Sequence, residues 1–242
     1  MHKKKYYSLI VLIPSFNELH NLKKFLIKLN KNYKVLVIDD CSQDSTSSWL
    51  RKNKISFLKN KHNIGYEKSL IKGFKHTIKN NNTKTIITMD ADGQHNFYNI
   101  KKFIKIYKKN KCDLVIGSRE KKNRKIEEII SKLFYSKFKL KDPLTGFKLY
   151  NFDKIKKIDF DKIKKLFLVD LLIEFIKSGY KVKSFTISTK NRTDNPKIGG
   201  FVKVNLKMVY IFINILFKTN ISTDQIFIYQ NMNILIYSYN NM

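Results

Sequence analysis

Short apolar runs alternate with longer amphipathic stretches along most of the chain. The runs are rich in β-branched residues and predict buried strands at Ser8–Ile13, Val35–Ile38, Ile55–Leu58, Thr85–Met89, Leu114–Gly117, Gly146–Tyr150 and Val182–Ile187. The stretches between them repeat apolar residues at helical spacing and predict helices at Glu18–Leu29, Thr46–Lys52, Tyr66–Lys79, Tyr98–Lys108, Lys125–Phe138 and Phe167–Ser178. Strands separated by helices indicate an α/β fold with a mostly parallel sheet and helices on both faces.

The length of the chain suits one large domain, or one domain with a small appendage. It has 242 residues, 43% of them hydrophobic, and can bury a sizeable core. We expect one α/β domain over residues 1–200 and a C-terminal extension, rich in apolar and aromatic residues, over residues 201–242. The extension fits a segment lying on an anionic membrane, a helix packed on the sheet, or half of a dimer contact.

No stretch of the sequence predicts a membrane-spanning helix. The first apolar run is short and ends at Pro14, and Met208–Phe217 would cover only about 15 Å, half of a bilayer core. Cys41 and Cys112 form neither a disulfide framework nor a metal-cluster spacing. A reducing, cytoplasmic setting fits this cysteine usage.

The charge of the chain is strongly positive. It has 49 Lys and Arg against 19 Asp and Glu, a formal net charge of +30. Such a balance attracts an anionic membrane or a nucleic acid, although a compositional bias towards Lys, Asn and Ile would give the same charge without a partner. Nucleic-acid binding is not expected, because the sequence has no zinc-finger spacing, RNA-recognition aromatic motif or basic heptad segment.

Polar residues follow several predicted strands at the end where open α/β sheets bind ligands. Pro14–Glu18 follows the first strand, and Asn17 in it could cap the next helix. Asp39 and Asp40 follow the second strand, where one carboxylate could accept a hydrogen bond from a nucleobase. Asn63–Tyr66 is a glycine-containing turn before a helix, or no more than a loop.

The most informative stretch is Thr-Met-Asp-Ala-Asp-Gly-Gln-His, residues 88–95. Asp90 and Asp92 would repel each other unless a cation lay between them, and a hard divalent ion that also holds a diphosphate is the natural candidate. A plain polar turn is the alternative for these residues. Arg119 ends the next strand, where it could bind phosphate oxygens in a forked geometry or form a surface ion pair.

Taken together, these segments resemble the nucleotide-sugar glycosyltransferases of family 2. The resemblance covers roughly residues 8–200 and implies the GT-A fold, a single Rossmann-like α/β domain. Cys41 and Ser45 stand where that family usually has glycine, which permits torsions that other residues resist. The matching segments are Pro14–Glu18 (Pro-X-X-Asn-Glu), Asp39–Thr46 (Asp-Asp-Gly-Ser-X-Asp-Gly-Thr), Asn63–Tyr66 (Asn-X-Gly) and Asp90–Asp92 (Asp-X-Asp).

Within family 2, the chain is most similar to dolichol-phosphate mannose synthase and bacterial polyprenyl-phosphate glycosyltransferases. Asp170 stands where that group usually has Glu, Pro196 where it has Ser, and Arg124 matches only loosely a second phosphate-binding arginine. The segments that carry the likeness are Asp92–His95, Gly117–Arg119, Asp142–Phe147, Val169–Leu172, Arg192 and Pro196–Gly200.

The resemblance implies a metal-dependent, inverting transfer of sugar from a nucleotide diphosphate sugar to a polyprenyl phosphate. It implies that Asp90, Asp92 and Gln94 hold Mg²⁺ or Mn²⁺. Asp92, Arg119 and Asp142 would be catalytic, with Asp142 as the base if the acceptor is instead a saccharide hydroxyl of a cell-envelope glycan. The implied substrate-binding residues are Pro14, Phe16, Asn17, Glu18, Asp39, Asp40, Gly65, Asp90, Arg119, Arg192 and Lys197.

We therefore expect a peripheral enzyme on the inner face of the cell membrane, held by lysines and by residues 201–242. His95 is expected to have a structural role or to contact a metal ligand, and not to take part directly in catalysis. A nucleotidyltransferase would carry a glycine-rich phosphate loop after the first strand, and Pro14–Glu18 is not one. A non-enzymatic basic binding protein would give no reason for acidic residues at successive strand ends.

Overall fold

A computed structural model of the protein describes residues 8–80, 83–122, 124–163 and 167–190. All of them belong to the first of two units into which the chain divides, Met1–Lys197. The second unit, Ile198–Met242, lies outside the described residues, as do Arg192 and Lys197. The predicted domain boundary near residue 200 and the roles of the extension and of these two basic residues therefore stay predictions.

The described chain folds around one seven-stranded sheet, which confirms the predicted fold class. Its strands are β1 Leu9–Ser15, β2 Lys34–Asp39, β3 Phe57–Lys59, β4 Thr85–Thr88, β5 Leu114–Arg119, β6 Lys148–Asn151 and β7 Val182–Ile187. The order across the sheet is β3-β2-β1-β4-β6-β5-β7. All paired strands run parallel except β6, which is antiparallel to both β4 and β5.

The direction of β6 matters for the position of the candidate site. The parallel strands present their carboxyl ends at one edge of the sheet, and β6 begins at that same edge because it runs the other way. The residues just before Lys148 are therefore brought to the ligand-binding edge. The strand order also reverses between β1 and β4, and open α/β sheets bind ligands in the crevice outside such a point.

Helices lie between the strands as the sequence predicts. They are α1 Leu19–Asn32, α2 Thr46–Lys52, α3 Tyr66–Asn80, α4 Ile100–Asn110, α5 Lys125–Phe138, α6 Phe152–Ile155 and α7 Phe167–Lys177. Two 3₁₀ turns, Phe97–Asn99 and Phe160–Lys162, and the four-residue α6 were not predicted. One turn of helix is too short to show an apolar period. Within the described ranges, no helix is both long and apolar enough to cross a bilayer.

The core lies on both faces of the sheet, and β1 is buried along its whole length. On one face, Val11 and Ile13 of β1 belong to one apolar cluster with Leu22 of α1. On the other face, the ring of Phe74 in α3 lies 5.4 Å from the ring of Tyr150 in β6. Helices thus cover both faces, and burial of these apolar surfaces is the main term that stabilises the fold.

Candidate functional site

Asp90 is held from two sides at the carboxyl edge, just beyond the end of β4. The Tyr66 hydroxyl at the start of α3 donates to Asp90 Oδ1 at 2.7 Å, and His95 Nε2 lies 3.0 Å from Oδ2. Burial favours the neutral acid, but the bond and charge of His95, the Tyr66 bond and the charge of Arg119 outweigh it and lower the pKa of Asp90. The carboxylate is therefore ionised at neutral pH. Burial and the Asp90 charge raise the pKa of Tyr66, which stays protonated and remains a donor.

Gly146 packs directly against the Asp90 carboxylate. A Cβ atom on Gly146 would lie only 2.2 Å from Asp90 Oδ1, so no other residue fits without moving the carboxylate. The Thr88 hydroxyl donates to the Gly146 carbonyl at 2.6 Å and ties the glycine to the end of β4. The Asp142–Phe147 motif thus meets the Asp-X-Asp motif through the antiparallel placement of β6.

The rest of this loop, residues 90–95, is fixed by backbone contacts; we call it the acidic loop. The backbone N–H of Gln94 donates to Asp92 Oδ1 at 3.0 Å, which folds the loop over itself. The backbone N–H of Lys190 donates to the Gln94 carbonyl at 3.0 Å, and His95 forms a β-bridge with Thr189. The loop is therefore attached to the segment that follows β7.

The acidic loop fits a divalent cation that is shared with a substrate. The side-chain oxygens of Asp90, Asp92 and Gln94 are ligands of the type that Mg²⁺ and Mn²⁺ prefer. Among the residues that the structure describes, no group of three or more Asp, Glu, His or Cys side chains is placed to hold a metal by itself. Substrate phosphates and water would complete the coordination, as is usual for Mg²⁺ bound by one or two carboxylates.

A second cluster lies beside the acidic loop and consists of Arg119, Lys122, Glu127 and Asp142; we call it the arginine cluster. Arg119 Nε and Nη2 donate to the two carboxylate oxygens of Asp142 at 2.9 and 3.0 Å. Arg119 Nη2 also lies 3.2 Å from Glu127 Oε2, and Lys122 Nζ lies 3.4 Å from Asp142 Oδ2. Among the described residues, these contacts use Nε and Nη2 of Arg119, so Nη1 is the part of the guanidinium left to bind an anion.

Asp142 is buried, with a side chain 1% exposed, and its backbone has a positive φ of 52°. Burial favours its neutral form, but the hydrogen bonds and charge of Arg119 outweigh burial and lower its pKa. A carboxylate with a low pKa is a weak proton acceptor. The two hydrogen bonds favour an orienting role for Asp142, in which its carboxylate holds Arg119, over the predicted role as a base.

The predicted nucleotide-binding acids, Asp39 and Asp40, are also buried and engaged by the protein. Asp39 accepts from the Ser42 N–H at 3.0 Å and from the Ser47 hydroxyl. Asp40 accepts from Asn60, Ile64 and Gly65. Both carboxylates thus organise the loops that follow β2 and β3, which disfavours the predicted reading of a nucleobase by either of them.

The Pro14–Glu18 segment packs onto the loop that follows β2. The Asn17 N–H donates to the Ser42 hydroxyl at 2.9 Å, and the Asn17 side chain accepts from the Gln43 N–H at 2.8 Å. Asn17 was expected as a helix cap, but the Asp44 carboxylate accepts from the first N–H of α1, that of Leu19, at 2.9 Å. Phe16 is 36% exposed and faces solvent at the ligand-binding edge.

Comparison with known proteins agrees with this arrangement. The sequence profile described as "Glycosyl transferase family 2" matches residues 10–175. The chain belongs to glycosyl transferase family 2. The sheet of this family 2 chain has the GT-A architecture of the solved structures that it matches.

Two curated relatives and one solved structure show how far the likeness of this family 2 chain extends. An uncharacterized protein of Methanocaldococcus jannaschii is 36% identical over 135 residues, covering 53% of this chain and 59% of the relative. CsbB of Bacillus subtilis is 30% identical over 138 residues, covering 52% of this chain and 40% of CsbB. The chain thus spans about half the length of these relatives.

The solved structure is glucosyl-3-phosphoglycerate synthase from Mycobacterium tuberculosis, in complex with Mn²⁺, UDP and glucosyl-3-phosphoglycerate. It superposes with a TM-score of 0.68 at 13% identity, covering 88% of this chain and 80% of that one. At that identity the match shows the fold. A further structure of the same synthase holds Mn²⁺, UDP-glucose and phosphoglyceric acid.

Sequence reasoning missed several residues of this family 2 site. The sequence places Tyr66 at the end of a turn and the start of a helix, and Glu127 within a helix, but it assigns neither residue to the site. Lys148 is fully buried at the start of β6, where its Nζ donates to the Pro143 and Leu168 carbonyls at 2.7 and 3.2 Å. Burial lowers the pKa of Lys148 to about 7, while the charges of Asp142 and Asp90 oppose that shift. The feature of the sequence that could have indicated Lys148 is the position of a basic residue inside an apolar strand.

Proposed function

We propose that this protein transfers a sugar from a nucleotide diphosphate sugar to a polyprenyl phosphate, with Mg²⁺ or Mn²⁺ as cofactor. The observation that carries the proposal is the meeting of the acidic loop and the arginine cluster at the carboxyl edge. Gly146 abuts the Asp90 carboxylate, and Asp142, which precedes Gly146 in the same loop, pairs with Arg119. One site thus offers oxygen ligands for a cation that would bind the donor diphosphate, and an arginine that would bind an acceptor phosphate.

On the donor side, Asp90, Asp92 and Gln94 would hold the metal, whose bound charge would neutralise the diphosphate as it leaves. Asp90 is already ionised and held in one orientation by Tyr66 and His95. The Pro14–Glu18 segment and Phe16 would line the nucleoside side of the crevice between β1 and β4. Arg192 and Lys197 are proposed as further phosphate-binding residues on the strength of the family resemblance alone.

On the acceptor side, the environment of Asp142 favours an anionic acceptor. A saccharide hydroxyl needs a base to take its proton, and the lowered pKa of Asp142 makes it a poor base. A phosphate oxygen is already ionised near neutral pH, and Arg119 Nη1 is available among the described residues to bind it. A phosphorylated small molecule such as phosphoglyceric acid, which the M. tuberculosis synthase binds, is the second candidate for the same reason.

The experiment is a screen of nucleotide diphosphate sugars with Mn²⁺ and three acceptors, with products measured by mass. The acceptors are a polyprenyl phosphate, phosphoglyceric acid and a neutral oligosaccharide. We expect a glycosyl polyprenyl phosphate, formed only with metal and lost in Asp92→Asn. Product on phosphoglyceric acid alone would replace the lipid acceptor, and product on the oligosaccharide alone would overturn the argument from Asp142.

A further inference from the structure

Asp90 receives two hydrogen bonds from residues of different elements. Tyr66 begins α3 and donates to Oδ1. His95 ends the acidic loop and contacts Oδ2. The Gly146 backbone closes the third side, where even a methyl group would overlap Oδ1. We propose that Tyr66 and His95 are positioning residues that fix the Asp90 carboxylate for metal binding, an inference that rests on the metal site proposed above.

The geometry leaves the carboxylate able to bind a cation. An ionised carboxylate has about four lone-pair sites, and the two donors take one on each oxygen. One site on each oxygen remains, and the Asp90 side chain is 29% exposed, so a cation can approach from the crevice. Since rotation about the side-chain bond would break both hydrogen bonds, the carboxylate meets the cation in a single orientation.

Among the described residues, the contact with Asp90 is the main polar interaction of the His95 side chain. Its side chain is 3% exposed, its Nδ1 is buried without a hydrogen-bond partner among the described residues, and its ring packs 4.9 Å from that of Phe147. Burying an unpartnered ring nitrogen is unfavourable, and an apolar side chain would pack there at less cost. The contact with Asp90 accounts for an imidazole at this position.

A purely structural role is less consistent with the surrounding contacts. The acidic loop is already fixed by the Gln94 bond to Lys190 and by the bridge between His95 and Thr189. Gly146 is fixed separately by Thr88. Because these backbone contacts do not need the Tyr66 hydroxyl, removing it should change the carboxylate more than the fold. Partners that orient a metal ligand typically change metal affinity 10- to 100-fold when removed.

The test measures Mn²⁺ binding directly, by electron paramagnetic resonance of free Mn²⁺ and by calorimetry, each with and without UDP or GDP. The variants are Tyr66→Phe and His95→Leu, with Tyr135→Phe and His20→Leu as exposed controls on α5 and α1. We expect roughly 10- to 100-fold weaker Mn²⁺ binding in both variants. Thermal unfolding of the metal-free Tyr66→Phe protein and binding of both control variants should match the wild type.

Two further substitutions separate positioning from packing at residue 95. Gln places an amide donor near the Nε2 position of histidine, whereas Asn places it near Nδ1. His95→Gln should recover most of the Mn²⁺ affinity that His95→Leu loses, and His95→Asn should not. Equal Mn²⁺ affinity in the wild type and the three His95 variants would overturn the positioning role. So would a loss of affinity that follows the thermal stability of the variants and not the position of the donor.

The outcomes also separate this inference from the proposed function. A wild-type protein that binds no Mn²⁺ with either nucleotide would remove the metal site and the positioning role together. A wild type that binds Mn²⁺, with Tyr66→Phe and His95→Leu binding as tightly, would leave the metal site in place and reject the positioning role alone.

Discussion

At the level of single residues, the shape of the site depends on what lies directly behind the Asp90 carboxylate. Gly146 touches that carboxylate because β6 starts at the carboxyl edge. The sequence showed a glycine in a recognised motif, but the contact joins residues 56 positions apart. Hydrophobic patterns report faces of elements and carry no information on such pairs.

We expect Gly146→Ala to weaken Mn²⁺ binding in the presence of UDP by at least about 10-fold, because the new methyl group displaces the carboxylate. Overpacking should also lower the free energy of unfolding by about 1–3 kcal/mol. The measurements are Mn²⁺ titration and urea unfolding. Gly179→Ala is the control, since Gly179 has a φ of +70° but open space around its Cβ position. It should lose stability and keep metal binding; unchanged binding in Gly146→Ala would contradict the close contact.

Asp142→Asn tests whether this carboxylate orients Arg119 or acts as a base. Removing one partner of a buried ion pair should cost about 3 kcal/mol in the free energy of unfolding. Because the folded pKa of Asp142 is lowered, its stabilisation is present above the unfolded pKa near 3.8 and is lost as pH falls through the lower folded value. The wild-type advantage should therefore be constant at neutral pH and disappear in acid.

The kinetic readout of Asp142→Asn is the acceptor KM. Misplacement of Arg119 should raise KM for a phosphate acceptor, whereas loss of a base would lower kcat and leave KM unchanged. The matched control is Asp161→Asn, because Asp161 is 84% exposed and its ion pair with Lys75 lies at the surface. That variant should change stability by less than about 1 kcal/mol.

At the level of elements, every predicted strand and helix is present. The hydrophobic pattern of β6 does not predict that this strand is antiparallel to its neighbours. A short run such as Lys148–Tyr150 has the same hydrophobic pattern whether its strand is parallel or antiparallel to its neighbours, so the pattern does not predict the strand direction.

Cys41 and Ser45 illustrate a different limit of prediction from sequence. Both adopt left-handed φ angles, 65° and 64°, where the family has glycine, so tertiary contacts keep the loop shape against local preference.

Lys148 joins β6 to the start of α7, and its burial predicts a pH dependence of stability. Its folded pKa, about 7, lies below the ordinary value of 10.5, so between these values the unfolded chain binds more protons. Stability should therefore rise with pH across that window, by up to about 1.4 kcal/mol per pH unit.

Urea unfolding of the wild type and of Lys148→Met at pH 7, 8 and 9, at constant ionic strength, isolates this contribution. The difference in unfolding free energy, wild type minus variant, should increase with pH on top of a constant offset from the Pro143 and Leu168 carbonyls that lose their donor. Lys101→Met, at an exposed position on α4, should show no such trend. Parallel curves for wild type and Lys148→Met would contradict the lowered pKa.

At the level of the whole molecule, the sequence predicted the sheet and the edge that carries the site, because strand ends in an α/β fold are implied by the alternation itself. It did not predict which acids face the crevice. Asp39 accepts from Ser42 in its own loop, Asp40 accepts from Gly65, and Asp142 accepts from Arg119, so hydrogen bonds within the protein already engage all three carboxylates. Sequence patterns identify the candidates, and the tertiary partners decide between structural and chemical roles.

The net charge of +30 leads to a prediction that concerns the whole surface. If the charge holds the enzyme at the inner face of a membrane, as we expect from the sequence, the protein should sediment with vesicles that contain anionic lipid at 0.1 M salt or below, where the Debye length is about 10 Å or more. At 1 M salt, where that length falls to about 3 Å, the protein should return to the supernatant, and neutral vesicles should not bind it at either salt concentration.

Binding that persists at 1 M salt would indicate apolar insertion in place of charge. Failure to sediment at low salt would reject the membrane localisation while leaving the chemistry at the acidic loop and arginine cluster unaffected, since neither depends on where the acceptor is presented.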